Sequence, residues 1–143
     1  MTNNLFGISF SRSVLELFGI VFVRFRPLQR LWIAWLVGVN SAGLLFIGHI
    51  EAQVALSAVG VAVAAQALIY QRKRFIRLLG VTHYIWVPML TWFALRLGNL
   101  PEGQSAFHIW LITLILTNVI CLTIDTWDLT RFMRGERKPY YAW

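Results

Sequence analysis

Apolar residues in this chain form four long runs, separated by short stretches that are rich in Arg and Lys. The runs cover residues 28–50, 52–70, 78–97 and 106–128. Each has about 20 residues, the length an α-helix needs to cross a hydrocarbon layer of about 30 Å. The pattern therefore predicts an all-α membrane protein: a single domain, residues 1–143, with four transmembrane helices in an antiparallel bundle.

The segment before the first run is apolar but too short to cross a membrane. Within residues 10–26 an apolar stretch is bordered by Arg12, Glu16 and Arg24. This pattern predicts an amphipathic helix lying in the membrane interface, with a re-entrant segment under the bundle as the alternative. Pro27 suits the first turn of the next helix, where its missing N–H is not needed. Residues 1–27 are thus predicted to be interfacial and 129–143 to form a cytoplasmic tail.

The basic residues give the predicted bundle an orientation. Twelve of the 13 Lys and Arg residues fall on one side of the four runs, and only Arg96 falls on the other. Such an excess in short loops marks the cytoplasmic side, so both termini are predicted to face the cytoplasm from a bacterial-type inner (plasma) membrane. The net charge of +7 then reflects these flanks and their attraction to anionic lipids, and no nucleic-acid partner is predicted.

Composition removes several classes of function. Hydrophobic residues make up 58% of the chain and charged ones 13%, about half the usual share in a soluble domain. The single cysteine, Cys121, cannot form an internal redox pair and is interpreted as a small buried apolar residue. The chain has no glycine-rich phosphate loop and no recognisable nucleophile–histidine–carboxylate pattern, so an enzyme is not predicted.

Polar side chains inside an apolar run need a partner or a purpose. Asn40 and Asn118 lie near mid-depth and are predicted to hydrogen-bond across the bundle. His83 lies six residues after Arg77 and Asp125 six residues before Arg131, which places them at equal depth and allows a contact. Asp128 shares a helix face with Asp125 and can pair with Arg131.

A third polar group is predicted at the opposite end of the bundle. His49, Glu51 and His108, with Glu102 in the loop nearby, could bind a divalent metal, and the two histidines could ligate a haem. Loop residues that simply face the periplasm are the alternative. The seven tryptophans suit a membrane-interface belt and helix packing, with the lining of a quinone site as the alternative.

Small residues suggest how such a protein works. Ala34, Gly38 and Ala42 recur every four positions in the first run, and the second run is rich in alanine, including Ala58 and Ala62. This spacing allows close helix packing. It predicts a protein that acts through helix–helix contacts, as a homo-oligomer or as a subunit of a larger inner-membrane complex. The alternatives are a small transporter or channel along Asn40, Asn118, His83 and Asp125, and a haem or metal protein using His49 and His108.

Overall fold

The computed structural model describes residues 9–100, 103–139 and 141, and these are folded almost entirely into helices. The five α-helices are α1 (Phe10–Gly19), α2 (Pro27–Ser41), α3 (Ile50–Lys73), α4 (Trp86–Arg96) and α5 (Ser105–Met133). A π-helical turn follows α1 at Ile20–Arg24, and 3-10 segments occupy Ala42–Phe46, Arg77–Ile85 and Leu97–Asn99. The predicted all-α class is confirmed, whereas the predictions for Glu102 and for residues 1–8, 140, 142 and 143 lie outside the described residues.

Three helical stretches are long and apolar enough to cross a membrane: Ile50–Lys73, Arg77–Asn99 and Ser105–Met133. They correspond to the second, third and fourth predicted spans. The first predicted span is less regular, because α2 ends at Ser41 and continues only as a 3-10 segment. Gly43 in that segment packs against Trp110: a Cβ at Gly43 would lie 3.1 Å from the indole ring. The fourth crossing and the antiparallel arrangement therefore stay predictions.

The helices pack around an apolar core. Helix α2 contacts α3 and α5, and α4 also contacts both of them. Phe93, Leu111 and Leu114 are completely buried among these helices. Pro88 lies in the first turn of α4. The change in helix geometry comes just before it, where the 3-10 segment meets α4.

Three basic stretches, residues 24–30, 72–77 and 131–138, lie together at one end of the fold, which we call the basic end. Phe25, flanked by Arg24 and Arg26, packs its ring 5.5 Å from that of Phe75 and 4.5 Å from that of Tyr141. These contacts join the chain before α2, the turn after α3 and the tail after α5. The predicted clustering is therefore present, although the side of the membrane that the basic end faces stays a prediction.

Helix α1 docks against the part of α3 that lies at the basic end. Its buried face includes Glu16, whose carboxylate accepts hydrogen bonds from Tyr70 Oη at 2.7 Å and Arg12 Nε at 2.8 Å. The opposite face exposes Leu15, Phe18 and, in the π-turn, Phe22. An apolar outer face fits the predicted interfacial position, which stays a prediction.

Candidate functional site: a polar column on helix α5

Helix α5 carries a line of polar residues that faces the other helices. Asn118, Cys121, Asp125 and Asp128 are separated by three, four and three positions, so they share one face of the helix. At 1.5 Å per residue the line is about 15 Å long, roughly half a hydrocarbon layer. We call these four residues the polar column.

The inner end of the column is a pair of asparagines. Asn40 Nδ2 donates to Asn118 Oδ1 at 3.0 Å, and Asn118 Nδ2 donates back to Asn40 Oδ1 at 3.2 Å. Asn40 Nδ2 also lies 2.9 Å from the Leu36 carbonyl oxygen. Both side chains are buried. The structure thus brings together the two mid-depth asparagines, and their pairing links α2 to α5.

The centre of the column is a histidine–carboxylate contact. His83, on the 3-10 segment before α4, places Nδ1 2.8 Å from Asp125 Oδ2. Its Nε2 lies 3.0 Å from the Gln66 amide nitrogen on α3, and its ring stacks on Trp86 with centroids 4.2 Å apart. Since a carboxylate needs a donor, this geometry assigns the proton to Nδ1 and leaves Nε2 to accept from Gln66. The imidazole is therefore held from three directions.

Cys121 belongs to the same cluster. Its sulfur lies 3.5 Å from Asp125 Oδ2 and 3.8 Å from His83 Nδ1. Gly80 makes the room, because a Cβ at that position would overlap the Asp125 side chain. Sequence reasoning missed Cys121, Gly80 and Gln66 as parts of this site. The four-residue spacing of Cys121 and Asp125, which puts both on one face, was the available signal.

The outer end of the column lies at the basic end of the fold. Asp128 forms an ion pair with Arg77, and not with Arg131 as the sequence suggested. Arg131 instead pairs with Glu136, which also accepts a hydrogen bond from Arg77 Nε at 3.0 Å. The hydrogen bond from Arg131 holds the pKa of Glu136 below its ordinary value. The column thus ends in a network of paired charges.

The residues predicted for a metal or haem site at the opposite end are placed differently. His49 stacks on the Phe107 ring at 3.9 Å, and His108 Nδ1 lies 3.0 Å from the Gln104 carbonyl oxygen. Glu51 is buried and forms an ion pair with Arg96. Within the described ranges, the one group of three or more candidate ligands with donor atoms within 4.8 Å of one another is His83, Cys121 and Asp125. The structure does not assemble His49, His108 and Glu51 into such a group.

The small residues divide into two sets. Ala62 is buried and Ala58 half-buried, so both pack within the chain. Ala34 and Gly38 are exposed, and with the half-buried Ala42 they line an open groove of about 310 Å³ between α2 and α5. Apart from the neighbouring backbone of its own helix, no atom of the described residues lies within 4 Å of the position that a Cβ on Gly38 would take. The groove is therefore a surface that the described chain leaves uncovered.

No protein-family model, curated protein or solved structure matches this chain. The polar column and the small-residue groove on α2 are the two features that bear on function.

Proposed function

We propose that this chain is a four-span inner-membrane protein that works through helix contacts and assembles with a second copy of itself through the groove on α2. The observation that carries the proposal is the exposure of Ala34 and Gly38 in an open groove. Apolar side chains gain little by leaving lipid, so membrane helices associate where small residues let their backbones approach closely. Two α2 helices can meet in this way, small face to small face, with the half-exposed Trp35 at the edge.

Contacts at the basic end support four crossings. Phe25 precedes α2 and Phe75 follows α3, yet the two rings are in contact. The chain between them must therefore travel away from the basic end and return to it. Helix α3 is long enough to cross a membrane, so α2 with its 3-10 extension has to cover a similar height in the opposite direction. The density of Arg and Lys favours the cytoplasm as the side of the basic end.

The polar column favours this role over transport by a single chain. Beyond Asn118, the buried face of α5 continues with Leu114, Leu111 and Phe107, packed in the apolar core. The column therefore covers only the basic half of the helix. Its carboxylates and amides already have partners within the chain, as expected of groups that hold helices together. A path along Asn40, Asn118, His83 and Asp125 does not continue through the described core.

The experiment compares two glycines that are equally open. Gly38→Leu fills the groove on α2, whereas Gly60→Leu adds the same bulk to α3, where a Cβ also meets nothing within 4 Å. Molar mass in mild detergent and energy transfer between labelled chains in liposomes report assembly. We expect a wild-type dimer or higher oligomer, at least tenfold weaker association for Gly38→Leu, and no change for Gly60→Leu.

Other results would count against self-assembly through this face. A wild-type chain that stays monomeric in both environments overturns it, and a different co-purifying subunit would then point to the larger complex. Oligomers that survive Gly38→Leu but are lost with Gly60→Leu would place the contact on α3. Circular dichroism of both variants verifies that each monomer keeps its helices.

A further inference from the structure

The donor atoms of His83, Cys121 and Asp125 have nearly the spacing of a tetrahedral metal site. With Zn–S bonds of about 2.3 Å and Zn–N or Zn–O bonds of about 2.0 Å, tetrahedral angles separate S from N or O by about 3.5 Å and N from O by about 3.3 Å. The structure has 3.8 Å and 3.5 Å from the sulfur, and 2.8 Å between Nδ1 and Oδ2. An opening of about half an ångström between the imidazole and the carboxylate is the main adjustment a metal requires.

We propose that His83, Cys121 and Asp125 form a binding site for a divalent transition metal of the Zn²⁺ type. One nitrogen, one sulfur and one carboxylate oxygen form a ligand set that suits Zn²⁺ or Co²⁺. Mg²⁺ and Ca²⁺ are disfavoured, because they take six or more oxygen ligands. Three protein ligands leave a fourth position for water or an exchangeable ligand.

Neighbouring residues hold the ligands in place. Gly80 leaves space for the Asp125 carboxylate, and Trp86 stacks on the imidazole of His83. Gln66 contacts the ring nitrogen that does not face the metal position. A partner on that second nitrogen fixes ring orientation and tautomer in metal sites. The His83 and Asp125 side chains are 14% and 13% exposed, so the site is enclosed but not sealed.

The proton balance is defined by the same contacts. Metal at Nδ1 requires the imidazole proton to move to Nε2, and the Nε2–H group then donates a hydrogen bond to the Gln66 amide oxygen once that amide has turned over. The Cys121 thiol must lose its proton, and the carboxylate has none to lose. Binding therefore releases one proton to solvent, and affinity should rise about tenfold per pH unit while the thiol remains protonated in the free protein.

Cobalt titration of the full chain tests the site. The protein is purified without a polyhistidine tag, stripped with a chelator and titrated with Co²⁺, followed by competition with Zn²⁺. Cys121 is the only cysteine in the chain, so a thiolate-to-cobalt charge-transfer band must arise from Cys121. We expect one Co²⁺ per chain with that band, displaced by Zn²⁺. Cys121→Ser should abolish the band, and His83→Gln and Asp125→Asn should each weaken binding at least tenfold.

His108→Gln is the control, because this histidine lies at the opposite end of the fold and should leave the titration unchanged. A wild-type protein that binds no Co²⁺, or binds it without the charge-transfer band, overturns the proposal even if a variant fails to fold. A band that persists in both His83→Gln and Asp125→Asn also overturns it. Loss of binding in His108→Gln would indicate that the metal binds at the opposite end of the fold, near His108.

Discussion

The asparagine pair between α2 and α5 allows a directional prediction about stability. We compare Asn40→Leu, Asn118→Leu and the double variant, since leucine is similar in size and cannot hydrogen-bond. In Asn40→Leu, both Oδ1 and Nδ2 of Asn118 lose their hydrogen-bond partner. In Asn118→Leu, only Oδ1 of Asn40 does, because Nδ2 keeps its bond to the Leu36 carbonyl. We therefore expect Asn40→Leu to be the more destabilising change.

The expected coupling energy between the two asparagines follows from the number of hydrogen bonds between them. Interhelical hydrogen bonds in membranes average about 0.6 kcal/mol, because the unfolded chain in lipid also finds partners. Two such bonds give a coupling energy of about 1 kcal/mol, and the difference between the single variants should be about 0.6 kcal/mol. The double variant should then be at least as stable as Asn40→Leu, since no amide remains unpaired.

Reversible unfolding in mixed detergent micelles, followed by tryptophan fluorescence, measures these free energies. Chain concentration must be constant, because assembly stabilises the folded state. Thr123→Val is a suitable control: the Thr123 hydroxyl donates a hydrogen bond to the Val119 carbonyl of its own helix, at 2.9 Å. Additive single effects, or a larger loss from Asn118→Leu, would refute the pairing as described.

Two further changes test the histidine cluster and the docking of α1. Gly80→Ala forces a methyl group into the Asp125 side chain and should destabilise the protein by about 1–3 kcal/mol, measured by the same unfolding assay; an unchanged stability would show that Asp125 does not pack there. Burial raises the pKa of Glu16, but hydrogen bonds from Tyr70 and Arg12 outweigh it and hold that pKa below its ordinary value. A lowered carboxyl pKa stabilises the folded state above the ordinary value of 4.5, and this contribution is lost as pH falls through the lowered pKa. Proteolysis within α1 should therefore increase in acid, and Glu16→Gln should be susceptible already at neutral pH; cleavage independent of pH in the wild type would refute this.

The sequence was most informative where the pattern of apolar residues determines the secondary structure. Three of the four long apolar runs correspond to helical stretches that could cross a membrane, because only helices satisfy the backbone of a single segment in lipid. Counting residues from the basic anchors also predicted that His83 and Asp125 lie at one depth. Their contact could not be established from the sequence, because the orientation of each helix about its own axis was unknown.

The orientation of each helix about its own axis also decides which small residues are buried and which are exposed. In a soluble helix the polar face marks the outside, but the exposed side of α3 is nearly as apolar as its buried side. Nothing in the sequence therefore showed that Ala62 is internal while Gly38 is open. Cys121 was overlooked for the same reason, since an apolar neighbourhood in sequence does not reveal which polar groups face it in space.

The one-sided position of the polar column affects how an applied voltage would act on the protein. Polar groups line the buried face of the basic half of α5, whereas apolar side chains line that of the other half. The electric field would therefore fall mainly across the apolar half, where moving one charge through the full potential is worth about 2.3 kcal/mol per 100 mV. An ion that reaches Asp125 from the basic end crosses little of that field. Its occupancy in polarised vesicles should accordingly depend on concentration and pH far more than on membrane potential.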